Sequence, residues 1–338
     1  MTEVLKVLVE TGRKIDPIME EYLLKNASKE FAEAILYQIR IGGKRVRPAL
    51  TMVSAAVAGG REEDAYPAAA AVELTHNYSL ILDDIIDHSE LRRGHPTVWK
   101  KYGISTAILV AVHYRESIAD ALNDTPDPPV FQDIMAKTIK LLVEGERLDI
   151  LYEQAGRIDE PYVVENRFEN VTLNDYLKMI ERKTAVLIET SCRFGAMSVG
   201  ASKDVVEALA RYGYNLGMAF QVGDDIIDLF GKEEETGKKV GQDIKEHKLG
   251  NVVILLALEE LEGGEKEKIL SILKKDEISW DEVYEALEII GRTNARKRAE
   301  ELRDKYVKEA LEALEDLEKN RYREILEGLA HFIKVREY

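Results

Sequence analysis

The chain has 338 residues, a formal net charge of −16, 45% apolar residues and 33% charged ones. That describes a soluble globular protein with material for a large core, and excludes a disordered chain. The acidic balance argues against nucleic-acid binding, since phosphate backbones require a basic face, and the single cysteine, Cys192, leaves no intrachain disulfide and fits a reducing cytosol.

The opening MTEVLKVLVETGRK lacks the pattern of a signal peptide, and no run of about 18 apolar residues occurs. A cytoplasmic protein is expected. Abundant charge with only five glutamines leans toward a thermophilic source. All eight prolines lie at or before Pro161. Proline-free stretches with apolar residues at helical spacing read as consecutive helices.

In chain order, the first break is Gly42-Gly43, followed by Lys44, Arg45 and Arg47 at a helix start. After Gly59-Gly60 a long apolar helix carries His76, Tyr78 and Ser79 and ends in Asp83-Asp84-Ile85-Ile86-Asp87. The segment Glu90 to Pro96 holds Arg92 and Arg93; further breaks fall at Thr125 to Pro129 and Gly156 to Pro161. The helical spacing Leu173, Leu177, Ile180, Thr184, Leu187 includes the pair Lys183-Thr184. Gln221 precedes a second cluster, Asp224-Asp225-Ile226-Ile227-Asp228, and the segment Gly231 to Gly241 contains Lys238, with Lys248 beyond. Gly263-Gly264 is the last break, and KEALEALEDLEKN is an amphipathic helix. The expectation is an all-α fold, one domain over residues 1–338, built from about ten or more helices.

The two DDIID clusters dominate this pattern. Unit charges about 4 Å apart interact by roughly 4 kcal/mol at an effective dielectric near 20. Three carboxylates in five residues therefore need either water or cations. On a helix, residues four apart share a face, so Asp83 pairs with Asp87 and Asp224 with Asp228. The face of Asp83 continues through Ser79 and His76 to Val72. Carboxylate pairs at the mouth of a buried helix suit Mg²⁺, which takes one or two carboxylates plus substrate phosphates. Solvated helix surface is the competing reading of one acidic run; two runs of identical form embedded among apolar residues count against it.

Basic segments follow each cluster, Leu91-Arg92-Arg93-Gly94 after the first and Gly237-Lys238-Lys239 with Lys248 after the second. Arginine forks and lysine point charges suit diphosphate oxygens. Zinc spacings, a P-loop, a dinucleotide fingerprint and a GxSxG elbow are all missing from the sequence. Cys192 in SCRFGA reads as a small buried residue rather than a nucleophile.

Taken together, GGKRVRP, ELTHNYSLILDDIIDHSELRRGHPT, Lys183-Thr184, FQVGDDIIDLFG and TGKKVGQD with Lys248 resemble the trans-isoprenyl diphosphate synthases (polyprenyl synthetases), in the family's order from about residue 40 to 250. The archaeal geranylgeranyl/farnesyl type is the nearest in pattern. The resemblance implies the isoprenoid synthase fold, mostly antiparallel helices around a deep central cavity, and a homodimer. It implies condensation of isopentenyl diphosphate with allylic diphosphates (dimethylallyl, geranyl, farnesyl), three Mg²⁺ per site, and geranylgeranyl diphosphate as product with farnesyl diphosphate as a second one.

By position, Asp83 and Asp87 hold metal with Asp84 in support, and Asp224 holds a further ion with Asp225 and Asp228 nearby. Arg92, Lys183, Thr184, Gln221, Lys238 and Lys248 fall on the allylic side, and Lys44, Arg47, His76 and Arg93 in the isopentenyl diphosphate pocket. Asp83, Asp84, Asp87, Arg92, Lys183, Asp224 and Lys238 are the implied catalytic set. Tyr78 with small Ser79 beside it resembles the chain-length position of C20-forming members. Departures are Ala111-Val112 where a glycine-aspartate pair is usual, Trp99 in place of histidine, Gly145-Glu146 with Asp149 in place of Gly-Gln, and Leu-Gly-Asn after Lys248. Other readings are a terpene cyclase or head-to-head synthase, a non-catalytic subunit of a heteromeric synthase, and a longer-chain synthase. Two intact clusters and a complete basic pocket favour chain elongation.

Overall fold

A computed structural model describes residues 3–232 and 239–336. Its elements are α1 (Glu3–Arg13), α2 (Asp16–Leu24), α3 (Lys29–Arg40), α4 (Val46–Val57), α5 (Tyr66–Ile86), a ribbon of β1 (Leu91–Arg92) and β2 (His95–Pro96), α6 (Val98–Tyr102), α7 (Ile104–Asn123), α8 (Pro128–Leu151), α9 (Pro161–Asn166) and α10 (Leu173–Ile180). After a π turn, Glu181–Ala185, come α11 (Val186–Ser198), α12 (Lys203–Phe230), α13 (Gln242–Lys245), α14 (Val252–Glu260), α15 (Gly263–Leu273), α16 (Trp280–Gly291), α17 (Ala295–Ala313) and α18 (Arg321–Val335). The fold is all-α apart from the ribbon, whose antiparallel pairs are Leu91 with Pro96 and Arg92 with His95. The sequence marks that segment only as a break, because two residues per strand are too few to show alternation.

By internal contacts the chain divides into two compact units. The first comprises Met1–Ile139, Leu187–Gly213 and Ala313–Leu329; the second comprises Lys140–Val186, Tyr214–Glu312 and Ala330–Tyr338. In the first, α7 packs along α5. Ala68, Ala69, Ala70 and Ala71 are wholly buried on α5, and such small side chains permit close helix approach. Pro67 sits in the first turn of α5, where its missing N–H costs no helical bond. Ser28 caps α3 by accepting from the Phe31 N–H.

In the second unit, helix starts are fixed by side chains. Thr172 and Asp175 form a reciprocal capping box on α10, and Ser279 and Glu282 do so on α16. Asn251 caps α14 through the N–H groups of Val253 and Ile254. Gly145 on α8 lies against the π turn, so a Cβ there would sit 2.3 Å from the Lys183 backbone nitrogen. That contact requires glycine and brings the backbone of Lys183 onto α8. Among the described residues, no helix is long and apolar enough to cross a membrane.

Candidate active site

In the first unit, α5 delivers His76, Ser79, Asp83 and Asp84, and Asp87 is its C-cap, donating its backbone N–H to the Asp83 carbonyl at 2.8 Å. The aspartates differ in environment. Asp84 is 1% exposed and takes a fork from Arg92, with Nε at 2.9 and 3.0 Å from its two oxygens and Nη2 at 2.7 Å. Burial raises the Asp84 pKa, with Arg92 opposing. Asp83 is half-buried and Asp87 exposed. The Arg92 fork thus faces Asp84, and the ribbon that carries Arg92 is held to the end of α5. The Thr97 hydroxyl and the Trp99 indole both donate to the Ser89 carbonyl, at 2.8 and 2.9 Å, which fixes the loop after the cluster.

Beside this lies a concentration of positive charge. Arg45, at φ 51°, is buried and donates to Asp16 at 2.8 Å, Glu73 at 2.9 Å and the Ile39 carbonyl at 2.6 Å. This left-handed residue turns Lys44, which is exposed, and Arg47, which is half-buried, away from itself. A Cβ on Gly43 would lie 2.9 Å from Arg93 Nη1 and 3.1 Å from Arg45 Nη1, so the glycine loop lets Arg93 pack against it. Burial and the neighbouring Arg45 and Arg92 pull the Arg93 pKa below its ordinary range, against Glu73. Arg47 Nη1 is 3.3 Å from His76 Nε2. Burial, then Arg47, Arg93 and Arg92, hold His76 well below its usual pKa. Its imidazole is neutral, and because a guanidinium only donates, Nε2 accepts and Nδ1 carries the proton. The same concentration of positive charge that suppresses protonation of the histidine would be relieved by a nearby anion.

Tyr78 and Ser79 are half-buried. The Ser79 hydroxyl donates back to the His76 carbonyl at 2.9 Å. On the unusual helix α7, His113 Nε2 reaches the Leu23 carbonyl at 2.7 Å, and buried Tyr114 donates to the Ile35 carbonyl at 2.7 Å. These side chains lock α7 onto α2 and α3.

In the second unit, Lys183, Thr184, Gln221, the second cluster and Lys248 form one network. Thr184 donates to Gln221 at 2.8 Å, and Gln221 donates to Asp225 at 3.1 Å. Asp225 is 5% exposed and its other oxygen accepts the Val252 N–H at 2.9 Å. Asp228 accepts the backbone N–H of Asp243 at 3.1 Å, and Asp243 accepts from Asn251 at 2.8 Å. Lys183 bridges Asp149 at 2.5 Å and Glu146 at 2.8 Å; Lys248 lies 3.0 Å from Glu246 and 3.9 Å from Asp149. Asp224 receives Arg336 Nη1 at 2.7 Å, and Arg336 stacks on Phe220 with 5.0 Å to the ring centre. Lys238 lies outside the described residues.

The electrostatics of this unit divide its carboxylates. Burial alone would raise Asp149, but Lys183 and Lys248 outweigh it and hold its pKa at about 2. Asp225 is pushed well up by burial and by Asp243, and the same causes bring Asp228 to about 7. Asp225, Asp228 and Asp243 thus carry less cationic compensation than their burial demands, which is the condition a bound cation relieves. No group of three or more His, Cys, Asp or Glu residues among the described ones forms a complete metal cage. Asp224 takes a cationic partner from the protein itself, the guanidinium of Arg336.

Sequence reasoning did not single out Asp243, Asn251 or Arg336 as members of this network. Asp243 stands at the end of TGKKVGQD and was legible as a nearby carboxylate; Arg336, 112 residues from its partner, left no local signal.

The polyprenyl synthetase family model matches residues 28–290. The chain belongs to the polyprenyl synthetase family. This family member is similar to a short chain isoprenyl diphosphate synthase of Methanothermobacter thermautotrophicus, 35% identical over 343 residues with all of both chains covered. Among solved structures it is similar to geranylgeranyl pyrophosphate synthetase from Pyrococcus horikoshii, with TM-score 0.89, 32% identity and 99% of each chain covered. It is also similar to a polyprenyl synthase from Caulobacter crescentus complexed with calcium and isoprenyl diphosphate, with TM-score 0.85, 28% identity, 99% of this chain and 98% of that one covered. Other relatives carry longer-chain names, including geranylfarnesyl and heptaprenyl diphosphate synthases. This polyprenyl synthetase is a trans-prenyltransferase.

The raised Asp228 pKa gives a stability prediction with a definite sign. A group whose folded pKa lies above its unfolded value stabilises fully below the unfolded pKa, near 4, and loses that contribution as pH rises through about 7. Metal-free Asp228→Asn should therefore melt several degrees above wild type at pH 8, and the difference should vanish near pH 4. Parallel melting curves at both pH values check this; equal melting temperatures at pH 8 refute it.

Proposed function

We propose that this polyprenyl synthetase condenses isopentenyl diphosphate with allylic diphosphates, requires Mg²⁺, three ions per site, and makes geranylgeranyl diphosphate with farnesyl diphosphate as a lesser product. The observation that carries the reading is the cationic cluster of Arg47, Arg93, Arg92 and Arg45 around a neutral His76, next to an aspartate cluster on the same helix. Such a cluster fits the diphosphate of a substrate that must be held without being ionised.

Asp83 and Asp87 in one cluster, and Asp224 in the other, are the proposed metal ligands. Mg²⁺ at these carboxylates would offset the negative charge that grows on the leaving diphosphate. Lys183, Lys238 and Lys248 add cationic charge on the allylic side, with Thr184 and Gln221 orienting the network through Asp225. Lys183 and Lys248 are held by Asp149, Glu146 and Glu246, so their ammonium groups are fixed in place before substrate arrives. Arg92 contributes through Asp84, which it clamps, as well as by its charge. The nucleophile is the double bond of isopentenyl diphosphate, and the departing diphosphate accepts the final proton. The allylic cation requires a dry, apolar surround so that water does not capture it.

Tyr78 with the small Ser79 one turn from Asp83 supports a C20 limit. A homodimer is part of the same reading. Ile104, Ile108, Leu109 and Val112 on α7 are 50%, 46%, 60% and 55% exposed, an apolar row at helical spacing that fits burial against a second copy.

Asp83→Ala should lower turnover by about 10²–10³-fold while leaving the circular dichroism spectrum and melting temperature close to wild type. Near-wild-type turnover with Mg²⁺ and both diphosphates would remove the proposed metal role. Tyr78→Ala should shift products beyond C20 on chromatography, and an unchanged profile would show that Tyr78 does not limit chain length. Light scattering should give twice the chain mass for wild type and the single-chain mass for Leu109→Glu/Val112→Glu; a monomeric wild type would end the dimer assignment.

A further inference from the structure

Arg45 carries a positive charge into the interior of the first unit. Its side chain and that of Glu73 on α5 are 2% and 3% exposed, and they pair at 2.9 Å. The rest of the guanidinium is committed as well: Nε donates to Asp16 at 2.8 Å and Nη2 to the Ile39 carbonyl at 2.6 Å. Glu73 accepts from a second donor, Asn77 Nδ2, at 3.1 Å. In that orientation Asn77 Oδ1 is buried without a hydrogen bond among the described residues, so the donor to Glu73 is kept although it strands an acceptor.

The backbone of Arg45 is held as firmly. It caps α4 at φ 51° and ψ 35°, a left-handed conformation that a residue with a Cβ keeps only where its surroundings impose it. Gly12 of α1 packs on it so closely that a Cβ there would run into the Arg45 carbonyl oxygen. One arginine thus joins α1, α2, α3 and α5 at the start of α4.

This junction adjoins the cationic cluster on two sides. Arg47 follows Arg45 by two residues, in the first turn of α4. His76 lies three residues after Glu73, on the same side of α5, with Arg47 Nη1 3.3 Å from its Nε2. Arg93 and Arg45 both bring Nη1 against Gly43. Burial disfavours the charge on Arg93, and Glu73 is the carboxylate that most opposes this. Two guanidinium groups brought this close need a shared counter-ion.

We propose that the buried Arg45–Glu73 pair is a positioning device for the isopentenyl diphosphate half of the site, which rests on the substrate role proposed above for the cluster around His76. The pair fixes Arg47 and Arg93 relative to His76 and does not itself touch the substrate. Buried ion pairs can often be replaced by uncharged side chains with little loss of stability, and fixing one register is their best-attested use.

The test compares full-length wild type with Arg45→Met/Glu73→Gln, which removes one charge of each sign and keeps an acceptor for Asn77. Calorimetric titration with isopentenyl diphosphate in EDTA should show binding weakened about tenfold or more, at a melting temperature near wild type. With Mg²⁺, the KM for isopentenyl diphosphate should rise in parallel while that for geranyl diphosphate holds. A second variant, Asp16→Ala, removes the half-exposed partner of Arg45 and leaves Glu73 in place. Charge alone would tighten anion binding there, whereas loosening Arg45 weakens it, and weakening is expected. Unchanged or tighter binding in Asp16→Ala or in the folded double variant overturns the positioning role, and so does equal weakening of both substrates. Wild type that binds isopentenyl diphosphate but condenses nothing, with both variants weakened, removes the reaction and keeps the pair. Normal condensation with both variants unaffected does the reverse, and no binding to wild type overturns both.

Discussion

A carboxylate taken out of water must meet donors or cations, and much of this protein's polar architecture follows from that requirement. Asp84 is sealed in by the Arg92 fork, Asp225 by Gln221 and the first turn of α14, and Glu73 by Arg45. Removing one partner of such a buried pair leaves the other charge stranded, at a cost of about 3–5 kcal/mol. These contacts tie helices, loops and glycine turns together around the charged groups that remain accessible.

The two DDIID clusters solve this requirement in the same way. In each, the second aspartate is buried, Asp84 at 1% and Asp225 at 5%, and is bonded to a separate chain segment. The first and third stay more accessible: Asp83 and Asp87 in one cluster, Asp224 and Asp228 in the other. The second residue ties its helix to another segment, and the first and third lie nearer solvent, where Asp224 meets Arg336 and Asp228 accepts the Asp243 N–H. Identical pentapeptides thus divide burial in the same way, although their flanking sequences differ.

The all-α fold was legible because proline placement and helical spacing are local properties, and the aspartate clusters because three acids in five residues are conspicuous in any context. The direction of individual charges was not legible. GGKRVRP reads as three equivalent cations, yet Arg45 adopts a left-handed conformation and points into the core, leaving Lys44 and Arg47 outside. Arg92 reads as a diphosphate contact, and its fork is on Asp84. Arg336 is an ordinary terminal basic residue in the sequence and the partner of Asp224 in the structure. The carboxylate partners of Arg45 lie 29 and 28 residues away and that of Arg336 112, while Arg92 turns back on Asp84 eight residues before it, and periodicity encodes none of these. Asp149, noted only as a departure from pattern, proves to be the carboxylate between Lys183 and Lys248.

The π turn at Glu181–Ala185 sets a phase as well as a position. One wide turn accommodates a residue more than regular α-geometry would, so everything after it is rotated relative to an uninterrupted helix. Lys183 and Thr184 reach Asp149 and Gln221 from within that wide turn. A deletion of one residue there would restore regular winding and carry the lysine and threonine around by about 100°, away from both partners. The length of this segment is therefore part of the site: an insertion or deletion would have to be matched by a compensating one within the same helix.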